Sequence, residues 1–443
     1  MAAFDFLKRP PVMVIIIAGC LISLVGFGAR STMGFFLEPM TTTRGWDRET
    51  FALAIAIQNL LWGFGVPVAG ALADRFGPLI VMTVGSVIYA GGLCLMSVVE
   101  MPIALHLTAG VMTGVGVAFT SFSLAMAAMA RAVGPERRSL AMGAGASAGS
   151  LGQVVLSPLT FALIASYGWE HALIILAGFA LLIIPLVLFL PKSRPDTAAA
   201  AASELDLSSA LAEALRHRGF LLLTAGFFVC GFHVSFIGVH LPAYVQDIGL
   251  DASVAAYALS TVGLVNILGA FLGGVLGQHF RKKSVLSVIY LLRGVVITAL
   301  LFAPVSEITI YAFAVALGFL WLSTVPLTNA IVGQIFGMQW LATLFGIVFV
   351  GHQLGSFLGV WLGGYVYDLT GSYDPVWWAG VALALVAAVL HWPINEDPVE
   401  RLGGAPQPVP AATARDASNA VPGFMIGTGL LMIAAAVAMR LSG

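Results

Sequence analysis

The sequence predicts an all-α integral membrane protein made of two pseudo-symmetric six-helix bundles, and three observations carry that prediction. Of 443 residues, 59% are hydrophobic and 9% charged, against roughly 25% charged in soluble domains, so one water-soluble core cannot hide the apolar side chains. Twelve apolar runs reach the length of about 20 residues that a helix needs to cross the hydrocarbon. The second six runs echo the first, as duplicated units do.

In chain order the first six spans lie near 12–39, 51–72, 79–98, 102–130, 140–165 and 171–191. Lys8 and Arg9 ahead of an apolar run ending in Cys20 imitate a lipoprotein leader, but the run continues through Phe27 with no polar tether, as a span does. Spans seven to twelve lie near 219–245, 254–277, 285–303, 308–334, 342–366 and 376–393. The expected organisation is a bundle over 1–191, a linker over 192–218, a second bundle over 219–393, a polar segment over 394–420 expected to be disordered, and 421–443 as the candidate for a thirteenth helix. Within the linker, Leu207, Leu211 and Leu215 among Glu and Ser fit a short amphipathic helix or a solvated strand of chain.

Four pairs of blocks carry the repeat. Gly45-Trp46-Asp47 recurs as Gly249-Leu250-Asp251 and Gly70-Ala71-Leu72 as Gly274-Val275-Leu276; Gly149-Ser150 recurs as Gly355-Ser356 and Ser166-Tyr167 as Ser372-Tyr373. Basic residues set the orientation, because Lys and Arg stay on the cytoplasmic side. Lys8, Arg9, Arg75, Arg131, Arg137, Arg138, Lys192, Arg194, Arg216, Arg218, Arg281, Lys282, Lys283, Arg401 and Arg415 collect on one face, with Arg44 and Arg48 in the loops of the other between the twelve spans. The N-terminus is therefore expected to be cytoplasmic.

Other classes are poorly supported. A net charge of −1 offers no basic surface for nucleic acid. Cys20, Cys94 and Cys230 sit inside apolar runs and read as small hydrophobes, and no metal cluster, nucleophile set or cofactor loop is visible.

A charge at bilayer depth costs at least roughly 2.5 kcal/mol and is a functional candidate by default. Arg30 lies well inside span one on a stripe with Ser23, Gly26 and Gly34, which suits a cavity wall; an arginine snorkelling outward or tied to a neighbouring carbonyl is the alternative. Arg293, about nine residues into span nine, ranks second, with a structural role slightly favoured. Every Asp and Glu falls in a loop or at a span end, Glu38 being the nearest exception. A positive cavity without a counter-charge favours an anion, whose carboxylate supplies the missing partner. Gln58, Asn59, Gln153, Asn266, His352 and Gln353 are further polar candidates for the substrate route, each with interhelical hydrogen bonding as its plain alternative. His233, His240 and Tyr244 are candidates for a proton relay or gate, against a packing role.

The loop after span two, Gly70-Ala71-Leu72-Ala73-Asp74-Arg75-Phe76-Gly77, resembles the G-x-L-A-D-R-x-G signature of the major facilitator superfamily; the second-half copy carries Gln278 in place of the Asp. The resemblance implies the major facilitator fold, with Gly70, Asp74, Arg75 and Gly77 in a conformational latch. Arg30-Ser31-Thr32-Met33-Gly34-Phe35-Phe36 is similar to the span-one segment holding a substrate-linked lysine in the bacterial monocarboxylate-transporter-like and oxalate/formate exchanger branch, with Arg30 at the lysine position. Where that branch usually has an acid and an arginine in span eight, this chain has Asn266 and Ala270. The expected function is secondary active transport of a small organic anion, a monocarboxylate, by alternating access in a bacterial inner membrane, with a coupling proton or an exchanged anion as partner and no cofactor. The runner-up is an efflux permease for neutral or amphipathic compounds.

Overall fold

The computed structural model describes residues 11–133, 137–191 and 206–400. The candidate thirteenth helix, most of the polar segment before it and the first part of the linker lie outside the described residues. Among the described residues all regular structure is helical, and the helices able to cross a membrane are Val12–Arg44, Arg48–Phe76, Pro78–Met96, Pro102–Ala132, Leu140–Val187, Arg218–Asp247, Ala252–His279, Lys282–Phe302, Glu307–Phe336, Leu341–Thr370 and Asp374–His391. The fifth counts twice. A straight helix of its 48 residues would reach about 70 Å, more than twice the hydrocarbon thickness. The helix is broken at Gly168, whose φ of 81° and ψ of 161° are open to glycine and strained for other residues, so two helices join there across a kink. Spans five and six meet there, which restores the twelve predicted spans. Gly77, with φ 86°, turns the chain between spans two and three, and Pro78 then opens span three where its missing N–H costs nothing.

Three spans are not continuous α-helix. Span one runs as Val12–Ser31, tightens through the turn Met33–Phe36 and resumes as Leu37–Arg44. At that change the hydroxyls of Ser31 and Thr32 donate to the carbonyls of Gly28 and Ala29, at 2.7 and 2.8 Å. Span four widens to a π-helix over His106–Met112 and breaks at Thr120 and Ser121. Span ten stops at Leu320 and restarts at Thr324; Pro326, lacking an N–H, could not have bonded to the Leu322 carbonyl, which accepts from Val325 instead at 3.0 Å.

By packing the chain divides into two compact units. The first comprises Met1–Thr197, Ser235–Leu264 and Ser356–Ser372; the second comprises Ala198–Val234, Val265–Gly355 and Tyr373–Gly443. In the first, Ile22, Val81, Met82, Ala125 and Ile183 are core residues, and span one crosses span five through small residues. A Cβ on Gly152 would come within 2.1 Å of the Leu24 carbonyl oxygen, and one on Gly28 within 2.8 Å of the Gly152 backbone. The stripe expected to face a cavity is thus packed in part: Ser23 is buried and bonded to the Gly19 carbonyl at 3.0 Å, and Gly34 lies against the backbone of Gly238 and Val239. In the second unit Phe220, Phe227, Tyr290, Ile331 and Val348 form the core, and Gly351 and Gly355 let span eleven rest on span seven at Thr224 and Phe228.

Leu207–Arg216 is helical, capped by Asp206, whose carboxylate accepts from the Ser208 N–H and hydroxyl and is held below the usual carboxylate range by those bonds. Ala210 and Ala214 are buried, Leu211 packs on the second core, and Leu207 and Leu215 are exposed.

Gly152→Val should lower the thermal midpoint of the detergent-purified protein, as overpacking by about 1–3 kcal/mol does. Gly178→Ala, where a Cβ meets nothing within 4 Å, should leave it unchanged or slightly higher. Equal midpoints for Gly152→Val and the parent would mean that spans one and five do not meet this closely.

Candidate functional site

Arg30 occupies the last turn of the first helical segment of span one, where the negative end of the helix dipole favours a cation. Its guanidinium lies over the ring of Trp62, 4.2 Å from the centroid, and its Nη2 donates to Asn59 Oδ1. Asn59 is itself fixed by a 2.9 Å bond from Nδ2 to the Ile55 carbonyl. Asn59 and Trp62 are three residues apart on span two and so share a face. Phe122 meets both Trp62 and Phe27 edge-on, with centroids 6.3 and 6.1 Å apart, and continues the aromatic wall. Tyr89 stands within electrostatic reach of Arg30, and its buried hydroxyl has no protein partner. Arg30 Nε likewise has none, and among the described residues no carboxylate pairs with this arginine. The result is a half-buried cation on an aromatic floor, held by one amide and keeping donor capacity. Sequence reading found Arg30 and Asn59 but missed Trp62, Tyr89 and Phe122; for Trp62 the helical spacing from Asn59 was the available signal.

The other polar candidates are engaged elsewhere. In the first unit Gln58 donates to the Ala109 carbonyl at 3.1 Å, bonding span two to the π-helical turn of span four. Gln153 donates to the Leu259 carbonyl at 3.0 Å, bonding span five to span eight. His240 contacts the Val360 carbonyl at 2.8 Å, and Tyr244 is half-buried one turn further along span seven. In the second unit His233 contacts the Gly380 carbonyl at 2.8 Å. A carbonyl oxygen only accepts, so both histidines carry a proton on Nε2. His352 lies against Phe227 and Phe349, with centroids 4.8 and 5.7 Å away, and its Nδ1 is 2.9 Å from Gln353 Oε1. Asn266 Oδ1 accepts the Leu322 N–H at 2.9 Å, and Arg293 donates from Nε and Nη2 to the Leu320 carbonyl and from Nη2 to that of Trp321. Both side chains meet backbone groups freed by the break in span ten.

A charged network absent from the sequence reading closes one face of the first unit. Arg48, at the start of span two, forms a bidentate pair with Asp247 at 2.6 and 2.8 Å and a third bond to Glu38 at 2.9 Å, while its guanidinium covers the Tyr367 ring at 3.8 Å. Asp368 accepts the N–H groups of Arg48 and Glu49 at 3.1 and 2.6 Å, capping span two from span eleven, and Trp361 Nε1 donates to Glu49 at 2.9 Å. Ends of spans one, two, seven and eleven are joined in this way, on the face opposite the basic one. The signal in the sequence was positional: Arg48 begins a span while Asp247 and Asp368 end theirs. On the basic face Asp74 and Arg75 are exposed, with Arg75 over the Phe76 ring at 5.1 Å. In the second unit Lys282 bonds Gln334 at 2.7 Å and Lys283 bonds the Trp392 carbonyl at 3.1 Å. Among the described residues no cluster of His, Cys, Asp and Glu fits a metal ion.

Comparison with known proteins agrees with this architecture. The model of the Major Facilitator Superfamily matches residues 19–267 and 226–442. Monocarboxylate transporter 13 of Rattus norvegicus is 28% identical over 327 residues, covering 73% of this chain and 73% of its own. The MFS-type transporter YcxA of Bacillus subtilis is 25% identical over 355 residues, covering 78% and 85%. Among solved structures, a D-xylose-proton symporter aligns with a TM-score of 0.69 at 14% identity over 86% of this chain and 98% of that one. A bacterial homolog of the human lysosomal transporter Spinster, inward-facing and occupied, gives 0.69 at 15% identity over 87% and 97%. At such identities these structures speak for the fold alone. With eleven helices of membrane-spanning length among the described residues, the longest of them broken at Gly168, a signature loop after the second and a family model matching both halves, the chain belongs to the major facilitator superfamily, whose members are membrane transporters and not enzymes.

Proposed function

We propose that the chain moves a small organic anion, a monocarboxylate, across the membrane by alternating access, with Arg30 as the residue that receives the carboxylate. The observation that carries the reading is the state of Arg30: a cation within a span, resting on Trp62 and bonded to Asn59, with Nε unpartnered and no carboxylate paired to it among the described residues. A carboxylate brought by the substrate supplies both the charge and the acceptor that the protein withholds. The relatives named monocarboxylate transporter support the same substrate class. The Trp62 and Phe122 rings suit the apolar body of such a molecule. The N-terminus is cytoplasmic in this reading, the membrane a bacterial inner membrane, and coupling is by exchange or by a co-transported proton.

The network around Arg48 would be the closed gate of the outer face, and Gly70, Asp74, Arg75 and Gly77 the latch of the inner one. The aromatic wall also fits efflux of neutral or amphipathic compounds, in which Arg30 would be structural, and one experiment separates the two. Arg30→Gln should bind monocarboxylates about 10–150-fold more weakly, the loss expected when a charged hydrogen bond of about 1.5–3 kcal/mol is removed, while its thermal midpoint without ligand stays near that of the parent. Unchanged carboxylate affinity in a folded Arg30→Gln protein, with stabilisation by neutral drugs, would establish the efflux reading.

The gate makes a separate prediction. In a background with Cys20, Cys94 and Cys230 replaced, Val239→Cys places a thiol at a position only 7% exposed beside Gly34. Adding Asp247→Asn should speed its labelling by a membrane-impermeant maleimide several-fold. An unchanged rate would show that the Arg48 network does not hold this face shut.

A further inference from the structure

The break in span ten accounts for only part of Arg293. Nε and Nη2 are used on the Leu320 and Trp321 carbonyls, the negative end of the half-helix Glu307–Leu320. Nη1 is buried without a partner, in a side chain 1% exposed, and no carboxylate pairs with Arg293 among the described residues. The carbonyl dipoles offset a fraction of the charge and leave the remainder inside a membrane protein.

The groups around the guanidinium are mostly donors; the exception is His233, which bonds the Gly380 carbonyl through Nε2 and keeps Nδ1 as a buried acceptor within electrostatic reach of Arg293. Tyr290, one turn earlier on span nine, has its ring 5.3 Å from the guanidinium carbon and a fully buried hydroxyl whose polar neighbours are Cys230 and Thr324. Cys230 on span seven sits 3.3 Å from the Thr324 hydroxyl at the restart of span ten, within electrostatic reach of Arg293 and facing Tyr290. When the thiol donates to Thr324 Oγ1, the Thr324 proton is free for a ligand. Ser323 and Thr328, beside Thr324 and one turn on, have buried hydroxyls without partners too. Spans seven, nine and ten, all in the second unit, therefore bring N–H, O–H and S–H groups near one positive charge that no carboxylate matches among the described residues. Water would satisfy the hydrogen bonds and leave the charge; an anion satisfies both.

We propose that Arg293, Tyr290, Thr324 and Cys230 form an anion site in the second unit that takes one small monovalent anion, either a halide or the carboxylate group of an organic acid. The site is separate from Arg30, lies in the other unit and does not rest on the substrate reading above.

The test is thermal unfolding of the full-length, detergent-purified protein in sodium chloride, bromide, acetate and isethionate at one ionic strength, since a ligand that binds only the native state raises its midpoint with concentration. Chloride and bromide should raise the midpoint saturably over isethionate if the anion is a halide, and acetate alone should do so if it is a carboxylate. Arg293→Gln risks misfolding because it also uncaps span ten, so the variants are Tyr290→Phe and Thr324→Val, which remove one hydroxyl each and keep the packing. Each should shift the half-saturating concentration upward several-fold, and Arg30→Gln should leave it where it is. Equal midpoints in all four salts would overturn the proposal. So would an anion effect undiminished in Tyr290→Phe and Thr324→Val, or one abolished by Arg30→Gln.

Discussion

Hydrocarbon offers no hydrogen-bond partner, so each backbone group that leaves helical register inside a span must find one in the protein. Span ten meets this demand with side chains from two other spans: Asn266 takes the Leu322 N–H, and Arg293 covers the carbonyls of Leu320 and Trp321. Span one meets it with its own hydroxyls, Ser31 and Thr32 reaching back three residues to Gly28 and Ala29. The two solutions differ in consequence. Short local bonds neutralise a turn and nothing else, whereas an arginine brought in from another helix carries a full charge to a place where partial charges sufficed.

The same accounting sorts the polar residues at bilayer depth. Gln58, Gln153, His233 and His240 each contact a carbonyl of a different span, and such bonds hold helices together where the hydrophobic effect contributes little. Small residues do the complementary work: Gly152 and Gly355 let backbones approach so closely that a methyl group would overlap a carbonyl oxygen. Arg30 is exceptional in this company, because its contacts are an amide, a ring face and a neighbouring phenol, none of which cancels its charge.

The fold was legible because its causes are local. Apolar runs of spanning length and the loop from Gly70 to Gly77 can each be read from a few neighbouring residues. Arg30 and Arg293 stood out for the same reason, as charges within apolar runs. What could not be read were the partners. Arg48 and Asp247 look like ordinary ends of spans until the fold joins them, and Asp368 caps a helix that begins some three hundred residues earlier. Trp62 and Phe122 were two of many aromatics until packing set them around Arg30. Span ten reads as one run over 308–334, and nothing local indicated that Asn266 and Arg293 would complete a break in it.

Placement of charge also bears on how a carrier of this kind can cycle. At Arg48 the positive charge is matched by Glu38 and Asp247, and in the proposed gate those groups would separate into water, which solvates each of them. Within the spans, among the described residues, Arg30 and Arg293 have no carboxylate partner, and in the reading proposed above a mobile anion supplies the matching charge. Arg30, Asn59 and Trp62 all belong to the first unit. In the proposed cycle a cation fixed in this way would bind the anion through few and solvent-sensitive contacts, which water admitted at either face would weaken by raising the local dielectric. Binding strong enough to capture the anion when the site is dry and weak enough to release it when wet then follows from access alone, with no need for the arginine to change its protonation.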